Sequence, residues 1–380
     1  MRSRKAVLRA AEAARPYTAT EPLGIEDIRL APPGPGEVLV KIEAAGLCHS
    51  DLSVVNGDRV RPLPMALGHE AAGRIARVGE GVGDVRVDDH VVLVYVPACG
   101  ECAFCAADQP AMCEAGAASN GTGELLRGGR RMRDPYGAEV HHHLGVSAFG
   151  EFAVVDRSSV VVIEDDVPYD VAALFGCALS TGFGAVTRTA GVRAGDSVAV
   201  IGLGGVGLAA VMAAHAMGAG PIVAVDPVEA KRRRAGELGA THAFAPDEMS
   251  GRIRDVLGGG ANWVFEAVGS APVMRQAFAL TRRGGTTVAM GLPHPSAELT
   301  IPALPIIAES RTIKGSYMGS TRPAQDIPAM VRLWRDGRLP VERLISGHVP
   351  LEGLNEAMEA LADGSAIRQI ILPGAEGPIR

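Results

Sequence analysis

No long run of like charge, no uninterrupted apolar span and no N-terminal apolar core segment occur in this chain of 380 residues. Each absence removes a class of function. Lys and Arg number 37 against 43 Asp and Glu, a net charge of -6, so nothing points to a nucleic-acid or membrane partner. The short basic cluster Lys231 to Arg234 reads as a solvated helix face. Met1 to Ala10 carries basic residues but no apolar core or cleavage site, which argues against a secretory signal. Val206 to Gly220, the longest apolar stretch, contains His215 and is bounded by glycines. It is too short and interrupted to span a bilayer and reads as a buried helix. Without a signal segment, the six cysteines are expected to be reduced, as in a cytoplasmic protein. Their spacing then becomes informative.

What is present fits a soluble globular protein: 47% hydrophobic and 21% charged residues, in a chain longer than one hydrophobic core usually supports. Val38 to Ile42, Gly73 to Val78 and Val91 to Val96 are short, rich in Val and Ile, and separated by Gly, Pro and Asp turns, as strands of a β-rich region are. From Val198 to about Gly319 the pattern changes to apolar strands alternating with helices, the signature of βαβ units on a parallel sheet. The strands expected there are Val198 to Ile201, Ile222 to Val225, Asn262 to Glu266 and Thr286 to Met290. Ala324 to Asp336 and Leu354 to Asp363 have helical spacing, and Ile367 to Leu372 reads as a terminal strand returning to the first region. Gly116 to His143 is expected to be an irregular, Arg-rich loop.

Cys99, Cys102, Cys105 and Cys113 form C-x2-C-x2-C-x7-C. Four thiolates on one loop fill every position of a tetrahedral metal and leave none for substrate, which defines a structural zinc site; an iron-sulfur cluster is the alternative. Cys48 in GLCHSD, His69 beside Glu70 in GHEAAG, and Cys177 in FGCALSTG offer two thiolates and an imidazole. That is the three-ligand set of a catalytic zinc with an open fourth position. Taken singly, each of these residues is equally a core side chain.

GLGGVG at Gly202 to Gly207 follows the strand Val198 to Ile201 and opens a helix. Gly202 suits a tight turn, Gly204 a close approach to a pyrophosphate, and Gly207 the packing of helix on strand, with Gly205 and Val206 in the same turn. The helix N-terminus faces the phosphate charge. Asp226 ends the next strand, where a carboxylate accepts both ribose hydroxyls and repels a 2′-phosphate, so NAD is expected over NADP. The alternative is that Asp226 only caps a helix beginning near Pro227.

Together GLCHSD, GHEAAG, the cysteine ladder, HHHLGVSAF, GCALSTG, GLGGVG and SAIRQI resemble the zinc-containing alcohol dehydrogenases of the medium-chain dehydrogenase/reductase superfamily, closest to the liver-type and class III-like branch. The resemblance covers nearly the whole chain. It implies an α/β fold of a β-rich GroES-like catalytic domain and a doubly wound Rossmann cofactor domain. The catalytic domain takes residues 1–178, with the structural zinc loop at 97–115, and returns at 319–380; the cofactor domain takes 179–318. It further implies two zinc ions per subunit, a homodimer, NAD, and a small-molecule alcohol or carbonyl substrate.

Carried onto this sequence, the resemblance makes Cys48, His69 and Cys177 the catalytic zinc ligands and Glu70 the acid that approaches the metal during ligand exchange. Asp51 orients the liganding histidine, and Ser50 begins the proton relay. His49 and Arg368 contact the pyrophosphate and Lys231 lies near the adenosine ribose. Arg59, Tyr95, His143 and Leu292 face the substrate, a more polar set than simple alcohols need. Ser53 stands where the liver-type relay has a histidine, so the relay must end on water or another group. Gly57, Arg59 and Ala117 lack the side chains that the glutathione-dependent formaldehyde branch uses to hold its substrate. A zinc-independent reductase, a polyol or glutathione-adduct dehydrogenase, an enzyme that keeps its cofactor bound, and a non-catalytic dinucleotide-binding sensor are the competing readings.

Overall fold

The computed structural model describes residues 1–249 and 251–375 and divides them into two units. The first takes residues 1–177, 322–328 and those from 342 onward; the second takes 178–321 and 329–341.

The first unit is built on two β-structures. Arg2–Leu8, Leu23–Leu30, Met132–Arg133, Glu139–His142 and Met65–Ala66 close into a small barrel, filled by Val7, Ile28, Leu30, Met132 and Val140. The other is a sheet centred on Glu37–Gly46. That strand pairs with Glu70–Val78, with Phe152–Asp156 and with the terminal strand Arg368–Leu372. In this central strand Val38, Val40, Ile42, Ala44 and Ala45 are all core, while Lys41 and Glu43 stay half-buried. The terminal strand sets Ile370 opposite Gly46, so residues more than three hundred positions apart become neighbours.

The expected irregular loop Gly116 to His143 is instead partly regular. It contains most of the helix Glu114–Thr122, ended by Gly123 in a left-handed conformation, and the two short barrel strands Met132–Arg133 and Glu139–His142. Two-residue and four-residue strands are too short to show an alternating pattern, and their partners lie far off in sequence.

The second unit carries a six-stranded, wholly parallel sheet. Its order is His242–Phe244, Ile222–Val225, Val198–Ile201, Ala261–Glu266, Thr281–Ala289, Thr312–Gly315. In chain order that is 3-2-1-4-5-6, the doubly wound arrangement whose ligand crevice lies at the carboxyl ends of the strands. Strands covered on both faces read as unbroken apolar runs, and Val198–Ile201 and Ile222–Val225 are buried throughout. The helix expected within Val206 to Gly220 is Gly205–Ala216 and is nearly all buried. Residues 329–341 belong to this unit, and Arg338 there donates to the Ala216 carbonyl at 2.7 Å.

The longest apolar helix is not that one but Tyr169–Ala190. It is long and apolar enough to cross a membrane, yet 89% of its apolar window is buried within the protein, the position of a core helix. Its Phe175–Leu179 segment is a π turn, and Cys177 sits in the middle of it. Such turns insert a residue into the helix and re-aim side chains at functional sites. Gly176 lets this turn lie on the strand His90–Leu93, because a Cβ there would stand 2.1 Å from the Leu93 carbonyl oxygen.

Candidate functional site

The cysteine ladder closes on itself. The sulfurs of Cys99, Cys102, Cys105 and Cys113 lie within 4.8 Å of one another, and none of the six cysteines is bridged. A tetrahedral zinc with Zn–S of 2.3 Å sets sulfurs about 3.8 Å apart; Cys99 and Cys105 are at 4.0 Å. Backbone N–H groups already point at the sulfurs, from Cys102 to Cys99 and from Cys99 and Gly116 to Cys113, each at 3.3 Å. The N–H groups of Cys105 and Glu114 pull the Cys102 thiol down to about 6, whereas burial and neighbouring thiols push Cys105 up to about 12. Four thiols cannot all ionise side by side unaided. A divalent cation is what lets them, and the donor set fits zinc.

The second cluster gathers Cys48, His69, Glu70 and Cys177, all buried, with ligand atoms within 4.8 Å. GLCHSD ends one strand and starts the helix His49–Val55. Asp51 Oδ2 accepts the Cys48 N–H at 3.1 Å, which caps the helix and fixes the cysteine. Asp51 Oδ1 accepts the Gly68 N–H at 3.2 Å and lies 3.1 Å from His69 Nδ1, leaving Nε2 toward Cys177 Sγ at 3.4 Å. Burial alone would raise the Asp51 carboxyl, but His69 and His143 hold it down at about 2. Hydrogen bonding from Cys177, then Arg368 and His69, keeps Cys48 well below its ordinary range, while the hydrogen bond to Cys48 and burial push Cys177 up.

Glu70 completes the set. Burial pushes its carboxyl up to about 7, and both its oxygens lack a hydrogen-bond partner among the described residues. Arg368 Nη1 approaches to 3.7 Å while donating to the Leu47 carbonyl at 2.9 Å. Gly46 is required here, since a Cβ would stand 2.8 Å from the Glu70 carboxyl group. An orphaned buried carboxylate beside two thiols and an imidazole is what a bound dication would neutralise.

Of the four residues expected to face substrate, two pack on His69. The Tyr95 and His143 rings meet it edge-on, each with centroids 5.4 Å away. His143 Nδ1 also stands 3.1 Å from Asp51 Oδ1, a tie that pattern reading missed. It follows from a local kink: Leu144 and Ser147 both have positive φ, and Ser147 Oγ accepts the His143 N–H at 2.9 Å. Buried Lys5 donates to the Ser147 carbonyl at 2.7 Å. Only the polar residues of HHHLGVS hinted at this network. Arg59 lies on the loop after the helix, with its N–H on the Ser53 carbonyl, and Leu292 lies exposed in the second unit. Ser50 Oγ is 3.9 Å from Cys48 Sγ, and Ser53 Oγ donates to the His49 carbonyl at 2.8 Å. His49 itself is exposed.

In the second unit each glycine of the turn has its own constraint. Gly202 has φ +90, and a Cβ there would meet Val268 at 2.7 Å; around Gly204 the space is open; at Gly207 a Cβ would stand 1.8 Å from the Gly202 carbonyl oxygen. Gly204 is the N-cap of the helix Gly205–Ala216. Asp226 accepts the Leu203 N–H and the Val228 N–H, both at 2.8 Å, so it braces the turn as well as the next helix, which begins at Glu229. Lys231 is half-buried on that helix.

Two soft-metal centres in one unit and a phosphate-binding turn on a doubly wound sheet in the other define a metal-dependent dehydrogenase. Residues 34–165 match the family described as alcohol dehydrogenase GroES-like domain, and residues 205–335 that described as zinc-binding dehydrogenase. The chain is 38% identical over 372 residues to an NDMA-dependent alcohol dehydrogenase of Amycolatopsis methanolica, covering 95% of this chain and 98% of the relative. It is 36% identical over 368 residues to an S-(hydroxymethyl)glutathione dehydrogenase of Candida maltosa, covering 95% and 96%. The crystal structure of benzyl alcohol dehydrogenase from Acinetobacter calcoaceticus superposes with a TM-score of 0.90 at 30% identity, covering 98% of this chain and 99% of that one. The chain belongs to the zinc-containing alcohol dehydrogenases of the medium-chain dehydrogenase/reductase superfamily. Its activity is the zinc-dependent oxidation of a small-molecule alcohol to an aldehyde or ketone.

Proposed function

We propose that this alcohol dehydrogenase is NAD-linked and holds two zinc ions per subunit, one in the ladder and one on Cys48, His69 and Cys177. The observation that carries the NAD assignment is the state of the basic cluster beside Asp226. Arg232 is spent on the Asp226 and Pro227 carbonyls at 2.7 and 2.8 Å, and Arg233 and Arg234 pair with Glu229 and Glu237. The three arginines are turned onto carbonyls and acids of their own segment, and the Asp226 carboxylate opposes a 2′-phosphate.

Bound zinc would acidify the alcohol, and bound nicotinamide would accept the hydride. The chain's own residues do the rest. Asp51 sets the orientation of the His69 ring, Glu70 supplies a negative charge that Arg368 balances, and Ser50 Oγ receives the alcohol proton. Ser53 cannot pass that proton on as a base, so it leaves through water. In the first unit His49 and Arg368 serve the cofactor phosphates and Arg59, Tyr95 and His143 the substrate; in the second, Lys231 serves the ribose and Leu292 the substrate.

The unbridged thiols support a reducing, cytoplasmic setting. Exposed Leu304 and Ile307, close in sequence to the edge strand Thr312–Gly315, support a homodimer formed through the second unit; sedimentation at the monomer mass over micromolar concentrations would refute it. The NDMA-dependent relative favours a second reading, in which the cofactor stays bound between turnovers. A panel of primary, secondary, aromatic and polyol substrates, each run with NAD, NADP and an artificial electron acceptor, tests both. Turnover with NAD is expected; faster turnover with NADP would overturn the assignment, and turnover only with the acceptor would select the second reading.

A further inference from the structure

The barrel of the first unit carries a row of arginines that neither metal centre uses. Arg2 stands directly opposite Arg29 across one antiparallel strand pair, and Arg29 directly opposite Arg133 across the next. Directly opposite residues point to the same face, with Cα atoms about 4.5–5.5 Å apart, so three guanidinium-bearing side chains rise side by side. Like charges so placed weaken a sheet. With Arg130 and Arg131 they line a cavity of about 370 Å³, floored in part by Leu30, and no carboxylate lines it.

Three of the five are neutralised and held in place. Arg131 makes a bidentate pair with fully buried Glu37, at 2.7 and 2.8 Å, Arg133 pairs with Glu139 at 2.9 Å, and Arg130 lies between Glu139 at 3.0 Å and Glu124 at 3.3 Å. Arg2 and Arg29 are exposed and, among the described residues, have no ion-pair partner. The positive charge left over at the cavity therefore belongs to these two, facing each other in register.

We infer that the cavity binds a phosphorylated small molecule, with a phosphate dianion bridging Arg2 and Arg29 and the remainder of the ligand seated against Arg130, Arg131 and Arg133. Each planar guanidinium offers two parallel N–H donors to phosphate oxygens, and one dianion balances the two uncommitted charges. The volume is that of a small-ligand site.

Inorganic phosphate, titrated calorimetrically into the full-length zinc-loaded protein at fixed ionic strength, tests this. Arg2→Thr and Arg29→Thr should each weaken one saturable site at least tenfold, while Arg86→Thr, at a solvent-exposed arginine paired with Asp89, leaves it unchanged. Phosphate should raise the thermal midpoint of the wild type and not of the first two variants. In phosphate-free, low-salt buffer the same two variants should melt about 1 °C higher than wild type, because the repulsion is gone. Binding that is equal in all four proteins, or not saturable in any, would overturn the inference.

Discussion

The two cysteine centres differ in what brings them together. The ladder draws its thiols from about 15 residues of half-exposed chain, and its Ala103–Ala106 helical turn buries no side chain. The other centre draws Cys48, His69 and Cys177 from about 130 residues, every one buried. Closing the longer loop costs about 2 kcal/mol more, yet that centre has a scaffold: a capped helix, the central sheet and the π turn. The ladder rests on its own short loop, whereas in the buried centre the surrounding fold places the ligands.

Five variants would break or sharpen that contrast. Cys48→Ser or Cys177→Ser should reduce turnover about a thousandfold or more and remove one zinc of two, with a nearly unchanged thermal midpoint; a variant that keeps a tenth of the activity contradicts the ligand assignment. Cys102→Ser should also lose one zinc but lower the midpoint by roughly 5 °C or more, since structural metal binding is itself folding energy. If the two kinds of variant melted alike, the distinction between the centres would fall.

Asp51→Asn keeps the shape but weakens the orienting hydrogen bond. It should lower zinc affinity about 10- to 100-fold at the buried centre alone, read by chelator competition. The smallest effect belongs to Lys5, which burial pushes down to about 7 from 10.5. Between those values the unfolded chain holds a proton that the folded chain has released, so stability rises with pH, by at most about 1.4 kcal/mol per unit. Below pH 7 both states are protonated and the slope vanishes. Urea unfolding at pH 7 and pH 9 should show this rise in the wild type and not in Lys5→Met; equal slopes would remove Lys5 from the network behind His143.

Features set by local chemistry were legible in the amino-acid order. Val198–Ile201 and Ile222–Val225 fall where their apolar runs place them, because a doubly covered strand writes its burial into consecutive residues. The glycine turn and the ladder were legible for the same reason, each requirement being met within a few positions. Non-local pairing left weaker traces. Met65–Ala66 joins the barrel by pairing with His141 and His142, two residues against two, which no periodicity announces. Tyr169–Ala190 was missed as the longest apolar helix because its small residues and glycines mask a continuous pattern. His143 was legible as a pocket residue, but its tie to Asp51, made through two positive-φ residues, left no pattern in the sequence. The arginine row is visible only once strand register is known.

The pairing of Arg368–Leu372 with Glu37–Gly46 also imposes an order of events. The ladder is complete once Cys113 has been synthesised, but Glu70 gains its counter-charge only with Arg368, about 255 residues later. At ordinary elongation rates of about 5–20 residues per second, that is roughly 13 to 50 seconds. A nascent chain can thus assemble the ladder thiols while buried Glu70 is still uncompensated, so the arrival of the strand Arg368–Leu372 decides when the buried centre is complete.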